Sequence, residues 1–187
     1  MDRDLVVQAT NGDQRAVESL LVLSHPRLYR VAYGILRDRH MAEDATQRAL
    51  LDIWRDIRRL RDPSKFEGWS NRLLVRICYD EAKRQRAWIP ELASAAFEAL
   101  RAPDQYGAVL DRDQLDRAFR HLSVEHRAVL VLRCMLDMPM DAVAETLGVA
   151  PGTVGSRLSR AISALRAALE ADGRAPVATL VGQEAAP

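Results

Sequence analysis

Thr153, Ser156, Arg157 and Arg160 recur at steps of 3, 1 and 3, which puts them on one face of a helix. Short hydroxyl side chains beside guanidinium groups are the donors and acceptors that meet base edges and phosphates. Val154, Leu158, Ala161 and Leu165 follow steps of 4, 3 and 4, so the opposite face is a stripe for burial. Between Gly152 and Ala168 there are three arginines and no acid. The chemistry on offer is recognition of a polyanion, against a plainer alternative of a hairpin with a solvated basic face.

Such a face needs an element that supports it from behind. Val143 and Leu147 are four apart, and Ala144 is small enough to let another helix approach. Gly148 supplies the left-handed residue that ends a helix at little cost, and Pro151 stands where a new helix starts without an N–H to satisfy. A short helix, a glycine turn and a second helix are therefore expected across 141–160.

A second cationic set lies upstream. From Arg58 to Arg86 there are nine Lys/Arg against four Asp/Glu, and a basic segment placed before a DNA-reading element suggests one polyanion touched twice. Arg61–Gly68 reads as a loop by its Pro, Ser and Gly, followed by a helix from Trp69 to about Arg86. On that helix Leu73, Leu74, Ile77 and Cys78 face one way. Arg72, Arg76, Asp80 and Lys83 face the other, with Arg84 and Arg86 extending the basic end. Phe66, Trp69, Tyr79 and Trp88 are the local candidates for stacking on exposed bases, each worth ~1–3 kcal/mol, although Trp69 fits a core equally well.

The remaining elements position these two sets. A short helix over Asp4–Ala9 should stop near Asn11–Gly12. Asp13 then caps a helix that buries Ala16, Val17, Leu20 and Leu21. Pro26 either bends this helix or divides it from Leu28–Leu36, whose inward stripe is Leu28, Val31, Ala32 and Ile35. Over Met41–Leu60 the residues Ala42, Ala45, Ala49, Ile53, Ile57 and Leu60 pack inward. Asp44, Gln47, Arg48, Leu51 and Arg55 occupy the opposite side, flanked by Leu50 and Trp54. Apolar residues inside a polar rim fit a docking surface, unless Trp54 turns inward to complete the core. Residues 89–110 form the joint, with a short helix around Leu92–Leu100. Beyond it Leu115, Ala118, Phe119 and Leu122 make a stripe, and Ser123 caps the helix carrying Val129, Leu130, Leu132 and Arg133.

Composition narrows the class. The chain has 187 residues, 48% hydrophobic but only 5% aromatic, which favours helices over sheets. Cys78 and Cys134 each sit in an apolar run and read as buried thiols of a reducing cytoplasm. No CxxC pair, glycine-rich phosphate loop or nucleophile elbow is present, so neither a metal, a cofactor, a small-molecule substrate nor a catalytic residue is expected. His40, Glu43 and Asp44 could pass for part of a metal site, as could His121 and His126, but no third ligand follows at useful spacing. No apolar leader or membrane span is expected.

Five stretches then occur in order: Asp4–Asp13, Ala42-Glu-Asp-Ala-Thr-Gln47, Gly68-Trp69 with the helix after it, Leu122-Ser-Val-Glu-His-Arg127, and Gly152–Ala161. In types and spacing they resemble the extracytoplasmic-function group of the sigma-70 family, over residues 2 to about 170. The resemblance implies an all-α chain of two small helical domains on a flexible linker. A region-2-like bundle would span 1–88, a linker 89–110, a region-4-like helix-turn-helix 111–170, and a frayed tail 171–187.

The resemblance also implies roles. Asp44, Gln47, Arg48, Leu51 and Trp54 would meet the largest subunits of core RNA polymerase. Arg61, Lys65, Phe66, Trp69, Arg72, Arg76, Asp80, Lys83 and Arg84 would capture and hold the melted downstream (−10) promoter DNA. Thr153, Ser156, Arg157 and Arg160 would enter the major groove at the upstream (−35) element. An inhibitory anti-sigma partner and a cytoplasmic location go with this. Three positions depart from the pattern: Arg48 where glutamate is usual, Cys78 where asparagine is frequent, and Gly155 where lysine is common. A stand-alone helix-turn-helix regulator is the rival reading, and it leaves the first block without a purpose.

Overall fold

The computed structural model describes residues 2–88 and 110–171, and every regular element within them is helical. Helix α1 (Arg3–Thr10) starts at Asp2, whose carboxylate accepts the Asp4 N–H. It ends before Gly12, which takes φ +92°. Helix α2 (Gln14–Leu36) is capped by Asp13, whose carboxylate accepts the N–H groups of Arg15 and Ala16. These bonds satisfy donors that the first helical turn leaves unpaired.

Pro26 does not divide α2, which runs unbroken for 23 residues. The ring removes one hydrogen bond from the ladder. The loss falls on an exposed stretch, Val22, Leu23, His25 and Pro26, where water reaches the backbone. Leu28, Val31, Ala32 and Ile35 are fully buried, as their spacing requires.

Arg37 ends α2 in the left-handed region at φ 57°, its N–H bonded to the Tyr33 carbonyl. Asp38 then caps α3 (Arg39–Asp56) through the Met41 N–H at 3.0 Å. The two-residue connection folds α3 back along α2, with Ala42, Ala45, Ala49 and Ile53 fully buried between them. A 3₁₀ turn (Ile57–Arg59) comes next, and a second (Pro63–Lys65) leads into α4 (Phe66–Trp88). The loop expected over Arg61–Gly68 is thus shorter than its composition suggests. Asp62 caps the second turn through Ser64, and Phe66, Glu67 and Gly68 are already helical.

Residues 89–109 and 172–187, which hold most of the expected joint and tail, lie outside the described residues. The second block begins with α5 (Leu110–Arg120) and α6 (Val124–Leu130), the latter capped by Ser123 at 3.2 Å from the His126 nitrogen. Leu115, expected on the inward stripe, is instead 44% exposed, whereas Ala118 and Leu122 are buried. A π turn (Val131–Met135) extends α6, its wide ladder marked by the Leu136 N–H bonded to the Val131 carbonyl. One extra residue in the turn rotates the downstream side chains by about a quarter turn or more. Cys134 is consequently exposed, contrary to the expectation of two buried thiols, while Cys78 is buried.

Helices α7 (Met140–Leu147) and α8 (Pro151–Ala171) complete the block. Gly148 caps α7 at φ 66°, and the next N–H, of Val149, returns to the Ala144 carbonyl. Val143, Ala144, Val154 and Ala161 are buried where the two helices meet. The buried side chains of both blocks form one continuous apolar cluster, because α4 packs on α7 and α2 packs on α6.

Candidate nucleic-acid interface

The first face of interest lies on α8, where Val154 and Ala161 anchor the inner side and turn Ser156 and Arg160 outward. The Ser156 hydroxyl donates to the Thr153 carbonyl at 3.1 Å. Arg160 Nε donates to the Ser156 carbonyl at 3.2 Å, which lays the guanidinium along the helix and leaves its other N–H groups for an anion. Thr153 is half-buried. A Cβ on Gly155 would meet nothing nearer than the Met140 Cε at 3.9 Å, so a side chain at this position would fit without strain.

Arg157 behaves differently. It is half-buried and turned toward Tyr79 of α4, in the other block. The Tyr79 hydroxyl is buried, with the Arg157 side chain beside it. Burial pushes its pKa up to about 12, and the positive charge of Arg157 opposes that rise.

The second face is the outer side of α4. Arg76, Asp80, Lys83 and Arg84 are exposed there, and Arg61 and Lys65 are exposed just before the helix. Arg84 pairs with Glu81 at 2.7 Å. Arg72 reaches across to form an ion pair with Glu145 of α7. Phe66, expected as a strand contact, is 1% exposed and belongs to the core. It sits beneath Trp69, with ring centroids 6.1 Å apart. The reason is the early start of α4, which swings Phe66 onto the inward stripe shared with Leu74 and Ile77. Trp69 is half-buried and borders a cavity of about 340 Å³ that Lys65, Gly68 and Arg72 also line. The side chain of Trp88 lies outside the described residues.

An interaction invisible in the sequence holds this face in place. The Arg27 guanidinium, on α2, donates to Ser70 Oγ at 2.7 Å and to Asn71 Oδ1. Ser70 and Asn71 are both buried. Burial lowers the Arg27 pKa from its usual high value, though not to where the charge is lost at neutral pH. This cation pins the first turns of α4, which carry Trp69 and Arg72. Nothing in the local pattern around Pro26 marks Arg27 as a bridge, because both partners lie more than forty residues away.

A third face, on α3, is apolar within charge. Asp44, Gln47 and Arg48 are exposed, with Leu51 at 63% and Trp54 at 61%. The question of where Trp54 points is settled outward. Leu50 turns inward in its place, against the core. Arg48 forms an ion pair with Glu81 of α4, so its charge is matched within the chain.

Comparison with known proteins identifies both blocks. Residues 21–88 match the family described as Sigma-70 region 2, and residues 112–165 match Sigma-70, region 4. The ECF RNA polymerase sigma factor SigE of Mycolicibacterium smegmatis is 32% identical over 83% of this chain, which spans 63% of that relative's length. The ECF RNA polymerase sigma factor SigM of Mycobacterium tuberculosis is 31% identical, over 86% of this chain and 80% of the relative. Among solved structures, CnrH in complex with the cytosolic domain of CnrY superposes with a TM-score of 0.66 at 25% identity, covering 91% of this chain and 98% of that one. With both family regions in order and relatives of this similarity, the chain belongs to the extracytoplasmic-function sigma factors of the sigma-70 family.

Proposed function

We propose that this chain acts as a promoter-specificity subunit of a bacterial RNA polymerase, with a division of labour among its three faces. Asp44, Gln47, Leu51 and Trp54 dock on the core enzyme, with Arg48 at the margin of that contact. Arg61, Lys65, Trp69, Arg72, Arg76, Lys83 and Arg84 hold the separated strand at the downstream element, and Asp80 lies among them. Thr153, Ser156, Arg157 and Arg160 read the upstream element. Residues 1–88 and 111–170 serve as the two working domains, with the intervening segment as tether.

The observation that carries this reading is the coexistence, on one chain, of two cationic helix faces and a separate exposed Leu–Trp patch. A DNA regulator acting alone has no use for the third.

The physics needs no catalytic group and no cofactor. Unstacking costs a few kcal/mol per base step, and contacts to freed bases and phosphates must offset it. Phosphate contacts position the duplex, whereas base-edge contacts specify it. Two weak DNA contacts become strong together when tethered on one large assembly, because the second forms at high effective concentration. The working place is the bacterial cytoplasm. An inhibitory protein partner is proposed as well: CnrH, of the same fold, was solved with the cytosolic domain of another protein.

Run-off transcription with core polymerase and a library of promoter sequences tests the assignment. Transcripts that appear only when the chain is added support it. A chain that neither stays on core polymerase nor starts a transcript from any library member overturns it.

A further inference from the structure

Asn71 lies on the strand-holding helix but is not among its exposed cations. It is buried, between Trp69 and Arg72 in the first turns of α4. Its amide oxygen accepts from the Arg27 guanidinium, and its amide nitrogen donates to the Met138 sulfur at 3.8 Å. Met138 also lines the cavity that Lys65, Trp69 and Arg72 border.

Chemistry dictates which way this amide turns. A guanidinium carries donors and no acceptor, so the atom facing it must be the Asn71 oxygen. The NH2 group must then point the other way. Arg27 is itself held, because a second N–H donates to Ser70 Oγ at 2.7 Å. The Ser70 hydroxyl in turn donates to the Glu67 carbonyl, one turn earlier, at 3.0 Å. A chain of hydrogen bonds from α2 into α4 thus ends on one amide donor of fixed direction.

That donor is poorly matched. A thioether sulfur is a weak acceptor, and a buried donor with no strong partner is uncommon in folded chains. The oxygens and unprotonated ring nitrogens of an unpaired base are strong acceptors.

Given the strand-holding role proposed for this face, we infer that Asn71 is a base-reading residue for the melted downstream element and Arg27 its positioning residue. When the strand is held, an acceptor of one unpaired base takes the place of the Met138 sulfur at Asn71 Nδ2. Because Arg27 engages the amide oxygen, Asn71 offers this base a donor. The base preferred is one whose edge there shows an oxygen or a bare ring nitrogen, against one that shows an amino group.

The test uses holoenzyme assembled from core polymerase and the full chain. Run-off transcription is measured on a promoter library randomised across the downstream element. Asn71→Asp is isosteric and keeps an oxygen on Arg27, but it puts an acceptor where the donor was. It should lose about tenfold in preference at one base position, or reverse it, with the other positions unchanged. Arg27→Gln can either donate or accept, so the Asn71 amide is free to turn over. Preference should relax at that same position. Ser70→Ala is the control, since it weakens the hold on α4 while leaving the Asn71 oxygen engaged. It should lower the urea midpoint and leave every base preference intact.

If Asn71→Asp loses equally at all positions, or at none, the residue is structural and the base-reading role is overturned. The sigma-factor reading then still stands on the transcripts that wild type starts. Wild-type preference in Arg27→Gln removes Arg27 from its positioning role. A wild-type chain that starts no transcript sinks the sigma-factor reading, and the role of Asn71 with it.

Discussion

Arg48 of α3 and Glu81 of α4 form an ion pair that crosses the first block, and Glu81 also receives Arg84 at 2.7 Å. The arginine at this position therefore comes with a partner that neutralises it. With the Arg48 side chain 43% exposed, the pair is screened by water. A double-mutant cycle with Arg48→Ala and Glu81→Ala should give a coupling of ~0.2–1 kcal/mol in urea unfolding. A coupling of zero would show that the pair adds nothing to the stability of the fold.

Trp54 is the residue on α3 with most to lose in docking. Its exposure means that Trp54→Ala should change folding stability by no more than ~0.5 kcal/mol. A buried aromatic anchor at an interface is typically worth ~2 kcal/mol or more. Core polymerase should accordingly bind the variant some thirtyfold more weakly in surface plasmon resonance, while the unfolding midpoint stays put. Unchanged affinity removes Trp54 from the docking surface.

Phe66 makes the opposite case. It is buried under Trp69, so Phe66→Ala should cost ~3–5 kcal/mol of stability by leaving a cavity. Phe66→Leu should fold with a milder loss and retain transcription. If Phe66→Leu keeps its thermal midpoint yet loses promoter opening, the ring touches DNA after all.

Cys78 and Tyr79 predict the alkaline behaviour. Burial pushes the Cys78 thiol up to about 12 and the Tyr79 phenol up to about 12. The unfolded chain releases these protons near their ordinary values of 9.0 and 10.0. Folded-state protons held above that range stabilise the fold fully below about pH 9, and this contribution is lost as pH rises toward 12. The urea midpoint should fall across that window, and less so in Cys78→Ala. A flat midpoint in both proteins contradicts the burial argument.

The same burial separates the two thiols chemically. At pH 8 the native chain should take one iodoacetamide adduct, at exposed Cys134, and the denatured chain two. Intact-mass spectrometry reads the difference directly. Two adducts on the native chain would mean that α4 opens readily.

What the sequence by itself determined is local. Asp13, Ser123, Gly148 and Pro151 set helix ends through bonds or backbone geometry within four residues, and each acts as its type requires. The stripes Leu28–Ile35 and Ala42–Ile53 and the outward Ser156 and Arg160 follow from the 3.6-residue repeat. Both family regions were legible because their motifs are read in order along the chain.

Tertiary structure decided what depends on a distant partner. Trp54 faces out while Ile53 and Ile57 take the buried places beside it, and Phe66 faces in because α4 begins before Trp69. The π turn that exposes Cys134 has no periodic signature of its own. Nor could spacing reveal that Arg27 holds Ser70, that Arg48 holds Glu81, or that Gly34 admits Val131. Periodicity tells which face of a helix is buried, whereas the identity of the neighbour that buries it is set by packing between segments far apart in the chain.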